Sequence, residues 1–183
     1  MILRRVWRFD GSGFLADPAM VESLLAHIGW EKVRWLNPVI SLPYGMELDF
    51  GGIGKEYAVD KVWQLVSEHS QEPVLINFGG DLRVTGARRD GSAWQVGIES
   101  PEQAGQSQGI LEISQGALAT SGDSKRFLLK DGVRYSHILN PMTGWPITNA
   151  PHSVTVAAPT CIEAGMMATF ASLQGEFAEQ FLE

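Results

Sequence analysis

The sequence predicts an α+β fold with largely antiparallel strands flanked by helices. Three observations predict it. Short strand-like segments follow one another between residues 82 and 133. Turn signals such as "RDGS" and "KDG" separate them. On both flanks, apolar residues recur at the helical period instead.

The elements follow in chain order. "DPAMVESLLAHIGW" reads as a short helix: Asp17 suits the N-cap, Pro18 the first helical position and Gly29 the end. A loop with Pro38 and Pro43 leads to a short strand over residues 46–50. Residues 54–69 form a helix with Val59, Val62, Trp63 and Val66 on one apolar stripe. "PVLINF" is a buried strand that ends at "GGD". The meander then runs through "LRVTGAR", "AWQVGIE", "GILEIS", "ALATS" and "RFLLK", and "HSVTVAA" adds another strand. A helix over residues 160–173 turns Ile162, Met166, Phe170 and Leu173 to the core, and a third begins near Gly175.

Composition removes several function classes. An apolar fraction of 44% across 183 residues is enough for a real core, and we expect one domain over residues 1–183. A net charge of −7 argues against a nucleic-acid partner, which needs a basic face. No apolar run approaches the roughly 20 residues that span a bilayer. The start, "MILRRVWRFDGSG", shows no apolar core of signal-peptide length, so no export signal is expected in this stretch. Cys161 is the single cysteine, so no disulfide forms within the chain.

The chemistry is concentrated in the glycines. "ELDFGGIGKEYAVDKV" joins an acidic segment through a glycine turn to a helix, a place where backbone can approach a phosphate. It is not a nucleoside-triphosphate loop: Asp49 stands where the first glycine belongs and Glu56 where the metal-binding hydroxyl belongs. It is not a dinucleotide fingerprint either, because Tyr57 holds the third glycine position. A plain tight turn feeding a helix explains this motif alone equally well. Four more segments of the same character follow: "INFGGDLRVTG", "ALATSGDSKRF" with Lys125 and Arg126, "YSHILNPMTGWP" and "EAGMMATF".

Together and in this order, the five segments resemble the ApbE family of FAD:protein FMN transferases. The usual family pattern, Asp-Leu-Gly-Gly-Ile-Ala-Lys-Gly-Tyr-Ala-Val-Asp, is "DFGGIGKEYAVD" here. Asn77–Asp81 matches Asn-x-Gly-Gly-Asp, Ala119–Gly122 matches Ala-Thr-Ser-Gly, and His137–Pro146 matches the His-Ile-x-Asp/Asn-Pro-x-Thr-Gly-x-Pro segment. The resemblance implies an ApbE-like fold and an enzyme that splits FAD, moves FMN to a threonine of an acceptor protein and releases AMP, with Mg²⁺ on the diphosphate. It implies His137 as the general base, and an imidazole with its ordinary pKa of about 6.5 suits that work. It implies flavin-nucleotide contacts at Asp49, Lys55, Gly80, Asp81, Ser121, Gly122, Ile138 and Thr143. It places metal contacts at Gly52, Thr169 and position 165. The acceptor is expected to be a flavoprotein subunit of a membrane redox complex, which puts the reaction in the periplasm or at the inner membrane. His27, His69 and His152 stand outside the motifs and read as surface or structural residues.

Three departures stand out. The family's helical aspartate, one turn before Thr169, is Gly165 here, so the carboxylate of that ligand set is lost. Glu163 lies nearly on the opposite helix face and is a poor substitute. The chain resembles the C-terminal portion of the family domain and also stops short of its end. It is therefore expected to be an incomplete copy that pairs with a missing half or with itself. A flavin-binding scaffold without catalysis is the competing expectation.

Overall fold

The computed structural model describes residues 2–10, 13–100, 103, 105–123 and 126–183. These fall into two compact units, residues 1–49 with 126–149, and residues 50–125 with 150–183. Lys125 lies outside the described residues.

The second unit is a three-layer sandwich. Its centre is a four-stranded antiparallel sheet in the order β10-β7-β4-β3. The strands are β3 (Leu75–Phe78), β4 (Asp81–Val84), β7 (Gly116–Gly122) and β10 (Ser153–Ala158). Alternation along each strand divides the two faces. Ile76, Ala117 and Ala119 face helices α2 (Gly54–His69) and α3 (Cys161–Leu173), where they pack with Val59, Cys161 and Ala164. Leu82, Val84 and Leu118 face the other way, onto the hairpin of β5 (Trp94–Glu99) and β6 (Ser107–Ile113), which contributes Trp94, Val96 and Ile113. The "GG" of "GGD" is the two-residue turn of the β3–β4 hairpin. Gly79 and Gly80 both have positive φ, +66° and +106°, as that turn demands.

Helix α3 buries a different face from the one expected. Its inward side is the small-residue row Cys161, Ala164, Gly165, Ala168, Ala171 and Ser172, while Met166 and Phe170 are exposed. Small residues let the helix lie close on β7, which offers Ala117 and Ala119, and on β10, which offers Val154, Val156 and Ala158. Thr160 and Glu163 form a reciprocal capping box at its start. The third helix appears as a 3₁₀ turn (Gly175–Phe177) and α4 (Ala178–Leu182).

In the first unit, helix α1 (Pro18–Leu25) is capped by Asp17, whose side chain accepts from Ala19 N. The strand expected over residues 46–50 does not form. Instead, the segment read as a proline loop folds into the hairpin β1 (Arg34–Leu36) and β2 (Val39–Ser41). Both strands of that hairpin are exposed, including Trp35 and Leu36. A second hairpin, β8 (Phe127–Lys130) with β9 (Val133–Ser136), adds a strand, β9, that the sequence reading did not contain. Among the described residues, no helix is long and apolar enough to cross a membrane.

Candidate active site

The charged cluster of the second unit begins at the glycine turn. Residues 51–53 turn, with Ile53 N and Gly54 N both donating to Phe50 O, and α2 starts at Gly54. Lys55 in its first turn reaches across to β4 and pairs with Asp81. Asp81 is 2% exposed, and its second oxygen accepts from Thr120 N on β7. Burial disfavours the Lys55 ammonium, but its hydrogen bond to Asp81 and the aspartate's charge outweigh that. The lysine pKa therefore lies above its ordinary 10.5. Half the Lys55 side chain stays open to solvent, so the cation is anchored at one side and available at the other.

Beside it, Glu56 is buried, and its Oε2 has no hydrogen-bond partner. Its side chain lies against Gly165 of α3. A Cβ at position 165 would meet Glu56 Cγ at 2.6 Å and Oε1 at 2.9 Å. One turn further along α2, Asp60 accepts from Arg83 Nη1 at 2.8 Å, Cys161 N at 2.9 Å and Ile162 N at 3.0 Å. It thus caps α3 from another helix. Burial first, and then the charges of Asp81, Asp60 and Glu56, push the enclosed Cys161 thiol up to about 12, with Lys55 opposing.

Gly80, which precedes Asp81, and Gly122 lie on the other face of the sheet. They line a cleft of about 360 Å³ on the hairpin side of the sheet, with Thr120 and Thr155 on its wall and their hydroxyls 2.9 Å apart. That volume falls within the range of small-molecule sites. Gly122 also lets two strands approach: a Cβ there would lie 2.3 Å from His152 O. Ser121 pairs with Val154 in the β7–β10 ladder. Gly52 lies exposed in the turn before α2, and Thr169 is half-buried on α3, one turn past Gly165. Glu163 is engaged in the capping box.

The first unit holds the histidine loop. His137 Nδ1 lies 3.0 Å from Arg126 O, and Phe9 meets the ring edge-on. A carbonyl only accepts, so Nδ1 carries hydrogen and the lone pair of the neutral ring lies on Nε2. Ile138 N donates to Ser136 Oγ, and Thr143 Oγ1 accepts from Trp145 N, so both residues help shape the loop. The loop is clamped where Gly144 O accepts from buried Trp7 Nε1 at 2.8 Å. Asp49 ends the first segment of this unit. His152, outside the motifs, pairs with Asp123 at 2.9 Å.

The glycine turn at the start of α2 thus carries a cation that is paired on one side and open to solvent on the other. The chain belongs to the ApbE family, whose model matches residues 2–183. It is 35% identical to the FAD:protein FMN transferase of Treponema pallidum over 184 residues, covering 90% of this chain and 51% of the relative. Against the enzyme of the same name from Vibrio cholerae it is 40% identical over 130 residues, covering 70% of this chain and 39% of that one. The chain spans about half the length of the curated relatives it matches. Among solved structures, the ApbE protein of Thermotoga maritima superposes with a TM-score of 0.85 at 29% identity, over 96% of this chain and 58% of that one. The flavin transferase ApbE of Vibrio cholerae does so with 0.83 at 31% identity, over 100% and 60%. The expected fold class and family are thereby borne out.

Asp60 and Glu56 are the cluster residues that sequence reasoning missed. At position 56 a signal was present: the family pattern has glycine where this chain has glutamate.

Proposed function

We propose that this chain works as an FAD:protein FMN transferase. A threonine hydroxyl of an acceptor protein attacks the phosphorus on the FMN side of the FAD pyrophosphate. The new P–O bond forms as the bond to the AMP phosphate breaks, AMP leaves with the electron pair, and the hydroxyl proton passes to a base. His137 is the proposed base, acting through Nε2. Phosphoryl transfer depends on positioning and charge neutralisation more than on covalent help from the protein. The observation that carries the reading is the Lys55–Asp81 pair, a cation held at a glycine turn with one side open, as a phosphate requires.

Mg²⁺ would supply charge neutralisation at the diphosphate. Among the described residues, no three histidine, cysteine or acidic side chains come together to hold a metal. A magnesium ion here would draw on few protein oxygens plus substrate phosphate, which is its habit. The acceptor is proposed to be a flavoprotein subunit of a membrane redox complex, on the periplasmic side of the inner membrane.

Incubation with FAD, Mg²⁺ and a threonine-containing acceptor peptide should yield flavinylated peptide and AMP. His137→Ala should slow that transfer by about 10²–10⁴-fold with FAD affinity nearly unchanged. An unchanged transfer rate would remove His137 from the mechanism. Gly165 favours a second reading, a flavin-nucleotide scaffold without catalysis. FAD binding that ignores Mg²⁺ and releases no AMP would select it.

A further inference from the structure

We propose that Glu56 replaces the carboxylate that Gly165 lacks, so that the metal ligand has moved from α3 to α2 while its position in space is kept. The inference rests on the transferase reading in one respect only, that a divalent cation works at this site. Two positions have exchanged residue types. Where the family pattern has glycine in the first turn of α2, this chain has Glu56; where it has aspartate on α3, this chain has Gly165. The structure puts those two positions in direct contact. The space a Cβ at 165 would need is filled by Glu56, at 2.6 Å from its Cγ and 2.9 Å from its Oε1.

The carboxylate is also placed as a ligand would be. Glu56 is 93% buried, being 7% exposed, and its Oε2 is left without a hydrogen-bond partner. A buried carboxylate oxygen with no donor is costly unless a cation meets it. The neighbouring carboxylates are otherwise engaged: Asp60 holds Arg83 and two α3 amides, and Asp81 holds Lys55.

Register supports the same assignment. Asp60 meets residues 161 and 162, and Glu56 meets Gly165, so α2 and α3 run antiparallel in steps of four residues. By spacing alone, the next step pairs Gly52 with Thr169, the two remaining residues that the family resemblance assigns to the metal. A hydroxyl, a backbone carbonyl and a carboxylate are the hard oxygen donors magnesium prefers.

The test is a carboxylate swap read by calorimetry and thermal melting. Mg²⁺ is titrated into the chain, with and without FAD, for the parent, Glu56→Gln, Gly165→Asp and the double variant Glu56→Gly/Gly165→Asp. We expect Glu56→Gln to weaken Mg²⁺ binding by more than the roughly 10–100-fold that loss of an outer partner costs. In EDTA, the same variant should melt at or above the parent temperature, because an orphaned charge is gone. Gly165→Asp alone should lower the melting temperature, since the new side chain meets Glu56. The double variant should recover both stability and the Mg²⁺-dependent rise in melting temperature. Glu56→Gln with unchanged Mg²⁺ affinity, or a parent with no Mg²⁺ response, would overturn the assignment. FAD binding by the parent in the presence of Mg²⁺, measured by flavin fluorescence, is read separately, because its absence would count against the transferase reading and not against Glu56.

Discussion

Helix α2 makes two ion pairs with strand β4, and they are built oppositely. In one, β4 gives the cation and α2 the carboxylate: Arg83 and Asp60, with side chains 14% and 13% exposed. In the other, α2 gives the cation and β4 the carboxylate: Lys55, which is 53% exposed, and Asp81, which is 3% exposed. The first is enclosed, with Arg83 Nε as its one buried atom that has no hydrogen-bond partner. Asp60 adds two α3 amides, and Arg83 stacks 3.8 Å from the centre of the Trp63 ring. The second leaves a lysine half in water, and the next residue of α2, Glu56, has a buried Oε2 with no hydrogen-bond partner. The difference separates an interaction that holds the layers together from one that holds a charge ready for something else.

The largest effect should come from breaking the closed pair. Asp60→Ala leaves Arg83 buried without its carboxylate and uncaps α3, so unfolding in urea should show a loss of about 3–5 kcal/mol. FAD affinity should fall only as far as the fold does.

The open pair should respond less, and with a pH signature. Lys55→Met leaves Asp81 without its cation, at about 1–3 kcal/mol near neutral pH. The folded lysine pKa is raised, so its stabilisation is fully present below the ordinary 10.5 and is lost as pH climbs through the folded value. Melting curves should therefore show parent and variant converging above pH 10.5. A gap that stays constant with pH would mean that Lys55 acts by packing alone.

A change of similar size sharpens the comparison within α3. Gly165→Ala should destabilise the parent by about 1–3 kcal/mol through overpacking against Glu56. In a Glu56→Gly background the same change should stabilise by about 1 kcal/mol, as alanine normally does over glycine in a helix. Equal effects in both backgrounds would show that Glu56 does not fill that space.

What was legible in the sequence divides along the same line. α2, β3 and the ends of α3 were readable because local period and capping residues determine them. Lys55 and Asp81 stand out because their motifs match the family residue by residue, and the structure pairs them. Asp60 was not, since its capping role joins it to an amide 101 residues away, which no local pattern records. The inward face of α3 was misread because large residues were assumed to seek the core. The helix instead lies close on Ala117 and Ala119 of β7 and on Val154 and Val156 of β10, and its own small residues fill the contact. The β1–β2 hairpin was missed because its prolines read as loop and its exposed strands lack the alternation of a half-buried pair.

The enclosed thiol on α3 has a practical consequence. Cys161 is the chain's lone cysteine, it has no accessible surface, and its pKa lies near 12. Thiolate is the reactive form, so alkylating and maleimide reagents have almost nothing to attack while the fold is intact. The chain is in effect already cysteine-free to a labelling chemist: a thiol introduced on the surface would take a fluorophore or spin label alone. When the helices separate from the sheet, the native thiol returns to ordinary reactivity. Its alkylation rate then counts opening events of the layer that carries the charged site, with no probe added.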